Sequence, residues 1–275
     1  QVYGGAGTAE GILLSEANAQ EAEARATVDR IARCSGFFFT GGDQSRIFQV
    51  FRPGGMDTPA YTALVERWRE GAVVSGSSAG AAMMSQRAIT GGNSVDALLH
   101  GVAAGDDAPG VRLDDGTDFV PWATLDQHFL ARGRWGRLLV ALVSDPRVTL
   151  GVGIDENTAL VVEDDDGWVT GASGVIWMDG RTAALDPGNG TGAGITLHLL
   201  GTGDRVDLST GAVTRGSAKA PLDPARPAGD GGAASGATAE PQAGSIVPVA
   251  PDAVFERWAF LHLSLIHISE PTRPY

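Results

Sequence analysis

Residues 72–82, Ala72-Val73-Val74-Ser75-Gly76-Ser77-Ser78-Ala79-Gly80-Ala81-Ala82, decide the fold class. The apolar run at 72–75 reads as a short buried strand, and it leads straight into a serine framed by Gly76 and Gly80. Small residues continue through Met83-Met84, as a helix packed closely on a sheet requires. Gly-x-Ser-x-Gly between a strand and a helix is the pattern of a nucleophile elbow. A sharp turn holds the serine in strained geometry, the glycines leave room for neighbouring backbone, and Oγ projects above the sheet. The following amide, that of Ala79, then opens a helix and can donate to an oxyanion. The blander reading of Ser78 is a helix N-cap. The strand before it and the small-residue helix after it favour the nucleophile.

The alternation extends outward from this stretch. Upstream, residues 16–34 are rich in Ala, Glu and Arg, with Ala24, Val28, Ile31 and Ala32 on one helical face, and Gly36 stops that helix. Residues 37–40 read as a buried strand ending in the turn Gly41-Gly42-Asp43-Gln44. Thr58-Pro59 starts a helix, Tyr61, Leu64, Val65 and Trp68 give it an apolar stripe, and Gly71 closes it. Downstream, a helix is expected over 135–143 and a strand over 148–154. This order predicts an α/β fold of three layers, a mostly parallel sheet flanked by helices. Functional groups in such sheets gather at the carboxyl ends of strands, where Gly41–Gln44, Ser78 and Asp155-Glu156 all fall.

Beyond Thr158 short strands take over, at 159–162, 168–170 and 195–200. We therefore expect an α/β domain over 1–215 and a Gly, Ala and Pro-rich loop or linker over 216–245. A C-terminal strand or helix is expected over 246–263, with its helical part at 254–263. Residues 264–275 match nothing before them and are expected to be a non-native tail outside the fold.

Formal charge is −13, from 20 basic and 33 acidic residues, which argues against a nucleic-acid surface. With one cysteine, Cys34, no intrachain disulfide can form. No run of 18 apolar residues is present, so no membrane-spanning helix is expected. Compartment stays open between cytoplasmic and secreted, since the chain opens on Gln1 and its N-terminal part is expected to be truncated.

A serine nucleophile needs a base. His100 lies in a Gly-rich stretch, His198 on a strand pattern, and His262 and His267 near the end; His128 remains. Arg132, Arg134 and Arg137 follow it closely, a concentration of cations unusual in so acidic a chain. They read either as solvated arginines near a helix start, where cations are disfavoured, or as a wall that binds carboxylates. Gln44 can add an amide contact, and the Gly42 amide can serve as the second oxyanion donor.

Four blocks together carry a resemblance: Phe38-Phe39-Thr40-Gly41-Gly42-Asp43-Gln44, Gly76-Ser77-Ser78-Ala79-Gly80-Ala81, Asp126-Gln127-His128-Phe129 with Arg132-Gly133-Arg134, and Gly153-Ile154-Asp155-Glu156-Asn157-Thr158-Ala159. In this order they resemble the cyanophycinase family. The resemblance implies a flavodoxin-like fold related to class I glutamine amidotransferases. It also implies hydrolysis of the β-aspartyl-arginine isopeptide bonds of cyanophycin through an acyl-enzyme. By the same resemblance Ser78 is the nucleophile and His128 its base, while Gln44, Asp126, Gln127, Arg132, Arg134 and Arg137 line the substrate pocket. The acid behind His128 stays open between Glu156, at a strand end in the matching block, and Asp96. No metal or organic cofactor is implied. Partners are cyanophycin or an aspartyl-arginine peptide, and a second copy of the chain. An α-aspartyl dipeptidase-like enzyme and an inactive binding protein of the same fold are the alternatives. The family usually has a further strand, helix and strand before the first block, so its N-terminal β-α portion is expected to be cut away, and 216–245 belongs to none of its motifs.

Overall fold

The computed structural model describes residues 9–216 and the backbone of 263–267. The first half runs β1 (Glu10–Leu13), α1 (Arg25–Ile31), β2 (Gly36–Phe39), α2 (Gln44–Phe51), α3 (Pro59–Arg69), β3 (Val73–Gly76) and α4 (Ala79–Ala82). There follow β4 (Arg87–Gly91), α5 (Ser94–His100), β5 (Arg112–Asp115), β6 (Thr124–Gln127), α6 (Trp135–Ser144) and β7 (Leu150–Ile154). The remainder is all strand: β8 (Thr158–Glu163), β9 (Asp166–Gly171), β10 (Gly174–Asp179), β11 (Ala184–Asp186), β12 (Thr191–Ala193), β13 (Thr196–Gly201), β14 (Arg205–Asp207), β15 (Val213–Thr214) and β16 (Leu263–His267).

The fold is mixed α/β. One sheet is wholly parallel, in the order β1-β16-β2-β3. Phe37 and Phe39, two apart on β2 and so on one face, are fully buried, and they join Ile31 of α1, Ile47 and Phe51 of α2 and Leu64 of α3 in one core. Thr58 caps α3 by accepting the Tyr61 amide, Pro59 takes the first helical position, and Gly71 follows the helix with φ +97°. A second sheet, β13-β10-β7-β6, is parallel only between β6 and β7. The third, β15-β14-β9-β8, is antiparallel, and β4–β5 and β11–β12 form separate pairs.

Three expectations change. The strand pattern does not separate one mostly parallel sheet from several; the strands divide among three four-stranded sheets and two separate pairs, and α4 packs on both β3 of the first and β6 of the second. The helix expected over 16–34 is broken. Glu16–Ala22 is a 3-10 segment, Asn18 accepts from the Ser15 amide and hydroxyl, and Ala24 is extended before α1 begins. Short polar side chains that bond nearby backbone compete with the helix in this way. Lastly, excluding 264–275 from the fold is corrected for 264–267. Leu263–His267 pairs in parallel with β1 on one side and β2 on the other. A gap one strand wide between two parallel strands presents unpaired amides and carbonyls on both sides, and a β-prone segment satisfies them. The linker expectation from residue 217 onward, and the helix expectation for 254–262, lie outside the described residues.

Candidate active site

Ser78 sits in a turn between β3 and α4 with φ 55° and ψ −118°, a backbone region that non-glycine residues avoid. The two flanking glycines make the turn possible. A Cβ on Gly76 would lie 2.2 Å from the Gly80 carbonyl oxygen, and one on Gly80 would lie 2.3 Å from that of Phe39. The Ser77 amide donates to the same Phe39 carbonyl at 3.0 Å, tying the turn to the end of β2.

Ser78 Oγ stands 2.9 Å from His128 Nε2, and His128 Nδ1 stands 2.9 Å from Glu156 Oε1. A carboxylate only accepts, so the Nδ1 proton belongs to the Glu156 contact and Nε2 is left to accept the serine hydroxyl proton. The Gln127 Oε1 is farther from Ser78 Oγ, at 3.4 Å. Asp96 is elsewhere engaged. It sits in the first turn of α5, where its carboxylate accepts from the Asn93 side chain at 2.7 Å and its amide donates back to Asn93.

Parallel pairing of β6 with β7 brings the base and its acid together. Phe129, just past His128, donates its amide to Ile154, and its ring lies flat against Gly153, where a Cβ would come within 2.3 Å of it. His128 and Asn157 both have positive φ, at 48° and 52°, so the residues around the Ser78–His128–Glu156 row share the strained backbone of Ser78. Such strain persists only where surrounding contacts over-determine it.

A cavity of about 390 Å³ opens beside Ser78, lined by Gly42, Asp43, Gln44, Thr90, Gly91, Gln127, Arg132, Arg134 and Arg137. The walls are strongly polar. Arg137 is nearly buried and grips Asp126 with two nitrogens, while Arg134 reaches Asp126 at 3.3 Å and the Gln127 carbonyl at 2.8 Å. Burial, and then the neighbouring Arg137 charge, hold the Arg134 pKa below the usual arginine value. Gln44 is buried, with its side-chain amide donating to the Ile89 carbonyl.

Asp126 is the one expected pocket residue that the structure moves. At 2% exposure it lies behind the cavity wall, committed to Arg134, Arg137 and the Gln127 amide. Its role is to hold the arginines, because a carboxylate already gripped by two guanidiniums has nothing left for a ligand. Sequence reading passed over Asp43, Thr90 and Gly91 as pocket lining. Among the described residues, Asp43 carries the only carboxylate in the lining, and its Oδ1 is occupied by the Ser45 amide and hydroxyl as the cap of α2. Among the described residues, no group of His, Cys, Asp and Glu could hold a metal ion, and no helix is long and apolar enough to cross a membrane.

Residues 7–169 match the model of peptidase family S51, and this stretch holds every residue of the row and the pocket. The chain belongs to peptidase family S51. Curated relatives named cyanophycinase include one from Nostoc sp., 34% identical over 71% of this chain and 64% of its own length. One from Trichormus variabilis is 37% identical over 64% of this chain and 57% of its own length. Another, from Synechococcus elongatus, is 31% identical over 79% and 66% respectively. The chain thus spans about three-fifths of the length of the first two relatives it matches. Among solved structures, a peptidase from an acI-B1 Actinobacterium aligns with a TM-score of 0.47 at 20% identity, covering 68% of this chain and 65% of its own.

Proposed function

We propose that this S51 chain is a serine-type peptidase that hydrolyses the β-aspartyl-arginine isopeptide bonds of cyanophycin, or a closely similar aspartyl amide. The observation that carries the proposal is the 2.9 Å and 2.9 Å row from Ser78 through His128 to Glu156, opening on an arginine-walled cavity. In this reading Ser78 Oγ attacks the carbonyl carbon as His128 Nε2 takes its proton, and Glu156 orients the imidazolium and stabilises its charge. The amides of Ala79 and Gly42 face the developing oxyanion. Collapse expels the amine, which takes the proton back from His128, and leaves an ester on Ser78. Water, deprotonated by His128, then releases the acid.

Arg132 and Arg134 suit the carboxylates of a polyaspartate backbone, because a guanidinium fork binds a carboxylate bidentately, while Arg137, its fork already on Asp126, braces the wall. Asp43 is the lining group able to meet a substrate guanidinium, through the oxygen that the α2 cap leaves over. The flavodoxin-like, glutamine amidotransferase-like arrangement belongs to the same proposal. Its support is a parallel sheet with Ser78 just past the carboxyl end of β3. The test is release of β-aspartyl-arginine from cyanophycin by the wild-type chain and not by Ser78→Ala. Cleavage of α-aspartyl dipeptides alone would select that substrate instead. Tight binding of cyanophycin without turnover would select the inactive binding protein.

A further inference from the structure

Asp155 is the acidic residue next to Glu156 that the proposed reaction leaves unused. Its side chain points away from His128 Nδ1 and into the turn that carries His128. Asp155 Oδ1 accepts the amides of Leu130 and Ala131, at 3.1 and 3.0 Å, and Oδ2 accepts the Ser173 hydroxyl at 2.5 Å. The turn is compact: the Arg132 amide donates to the His128 carbonyl, and the Arg134 amide to that of Phe129. One carboxylate therefore fastens the segment with His128 at one end and Arg132 and Arg134 at the other.

The far side of the fastening is equally fixed. Ser173 donates its amide to the Thr158 hydroxyl, Ala172 donates to the Asn157 carbonyl, and Asp155 itself donates to the Gly174 carbonyl. Gly171 allows this approach, since a Cβ there would meet the Asn157 carbonyl oxygen at 2.2 Å. Glu156 lies between these anchors. The turn that carries His128 and the segment that carries Glu156 are thus both held to the single connection between β9 and β10, 171–174, which does not itself reach the cavity lining.

We propose that Asp155, seated on Ser173, is a positioning residue: it holds the 128–131 turn so that His128, at its strained φ, spans Ser78 and Glu156. This rests on the triad reading above. An amide-accepting carboxylate is suited to the task, because two backbone N–H donors fix a turn's orientation more closely than a single contact does.

The test separates positioning from folding by reading serine activation alone. A small uncharged fluorophosphonate reacts with Ser78 Oγ only when the base is in place, and it makes no use of the arginine wall. Asp155→Ala, confirmed as folded by near-UV circular dichroism, is expected to be labelled about 10²-fold more slowly than wild type, the scale of loss from a misplaced catalytic group. Asp155→Asn keeps an acceptor for both amides and a donor toward the Ser173 oxygen, so it is expected to recover most of the rate. Ser173→Ala, which spares the amide bonds, should fall between them, and it serves in place of Asp155→Ala if that variant does not fold. Wild-type labelling with an unchanged rate in folded Asp155→Ala or Ser173→Ala overturns the positioning role and leaves the nucleophile standing. Equal losses in Asp155→Ala and Asp155→Asn also overturn it. An unlabelled wild type overturns both readings.

Discussion

Gln127 lies opposite Ile154 in the parallel pairing of β6 with β7, and this one register ends both strands at the same level. The next residue on one strand is His128, and the next two on the other are Asp155 and Glu156. Neighbouring parallel strands are about 4.8 Å apart, so side chains leaving their carboxyl ends meet without any long reach. Successive residues there serve different ends. Glu156 turns to the imidazole, and Asp155 turns to the amides of Leu130 and Ala131. A one-residue slip would exchange those roles, which is why the ring of Phe129 lying on Gly153 matters to the chemistry.

Glu156→Gln should therefore lower kcat by about 10²- to 10⁴-fold, since an amide can present the wrong partner to Nδ1. Asp96→Asn should leave kcat within about threefold of wild type, because its carboxylate is engaged by the Asn93 side chain in the first turn of α5 and not by His128. Steady-state kinetics on a soluble aspartyl-arginine substrate compares the two. A larger loss in Asp96→Asn would reassign the acid.

Ser78→Ala should remove turnover by about 10³-fold or more while the melting temperature stays close to wild type, because alanine fits the same turn. Retained hydrolysis in a preparation free of wild-type enzyme would sink the nucleophile assignment.

How much of this was readable beforehand differs by element. Ser78 was legible because Gly76 and Gly80 are forced by close backbone approach, a constraint that leaves a mark in sequence. The ends of α3 were legible for the same kind of reason, in Thr58, Pro59 and Gly71. The choice between Glu156 and Asp96 was not, since it depends on the register of β6 against β7, which neither residue's neighbours encode. Asp126 is expected in the pocket through the resemblance of its block; only burial distinguishes holding a ligand from holding the residues that hold it. The broken helix at 16–34 was hidden by its composition, where Ala and Glu outvoted one Asn18 side chain bonding to Ser15.

Asp43→Asn should raise KM for an arginine-bearing substrate by about tenfold, the scale of one charge-assisted hydrogen bond, and leave kcat nearly unchanged. Asparagine caps helices as well as aspartate, so α2 should persist. The same comparison on a substrate with citrulline in place of arginine is the control. An equal rise in KM for both would show that Asp43 does not read the guanidinium.

Asp126→Ala should destabilise the fold by about 3–5 kcal/mol, because it leaves two largely buried guanidiniums without their carboxylate. Chemical denaturation measures this directly. A loss under about 1 kcal/mol would mean that the arginines find other acceptors, and the wall would then owe little to Asp126.

Asp155 makes stability depend on pH with a sign that can be worked out. Burial opposes its ionisation, but the Ser173 hydroxyl and the amides of Ala131, Glu156 and Leu130 outweigh burial and hold its carboxyl below the usual aspartate value. A carboxyl with a lower pKa folded than unfolded binds its proton more weakly in the fold. Its contribution is complete above the unfolded value of about 3.9, and it fades as pH falls through the lower folded value. The melting temperature of Asp155→Asn should therefore lie below that of wild type at about pH 7, and the gap should narrow as pH falls below the unfolded value and through the lower folded one. Calorimetry across that range reads the gap. A gap that stays constant with pH would mean that Asp155 ionises alike in the folded and unfolded chains, and that its hydrogen bonds do not discriminate between the charged and neutral carboxyl.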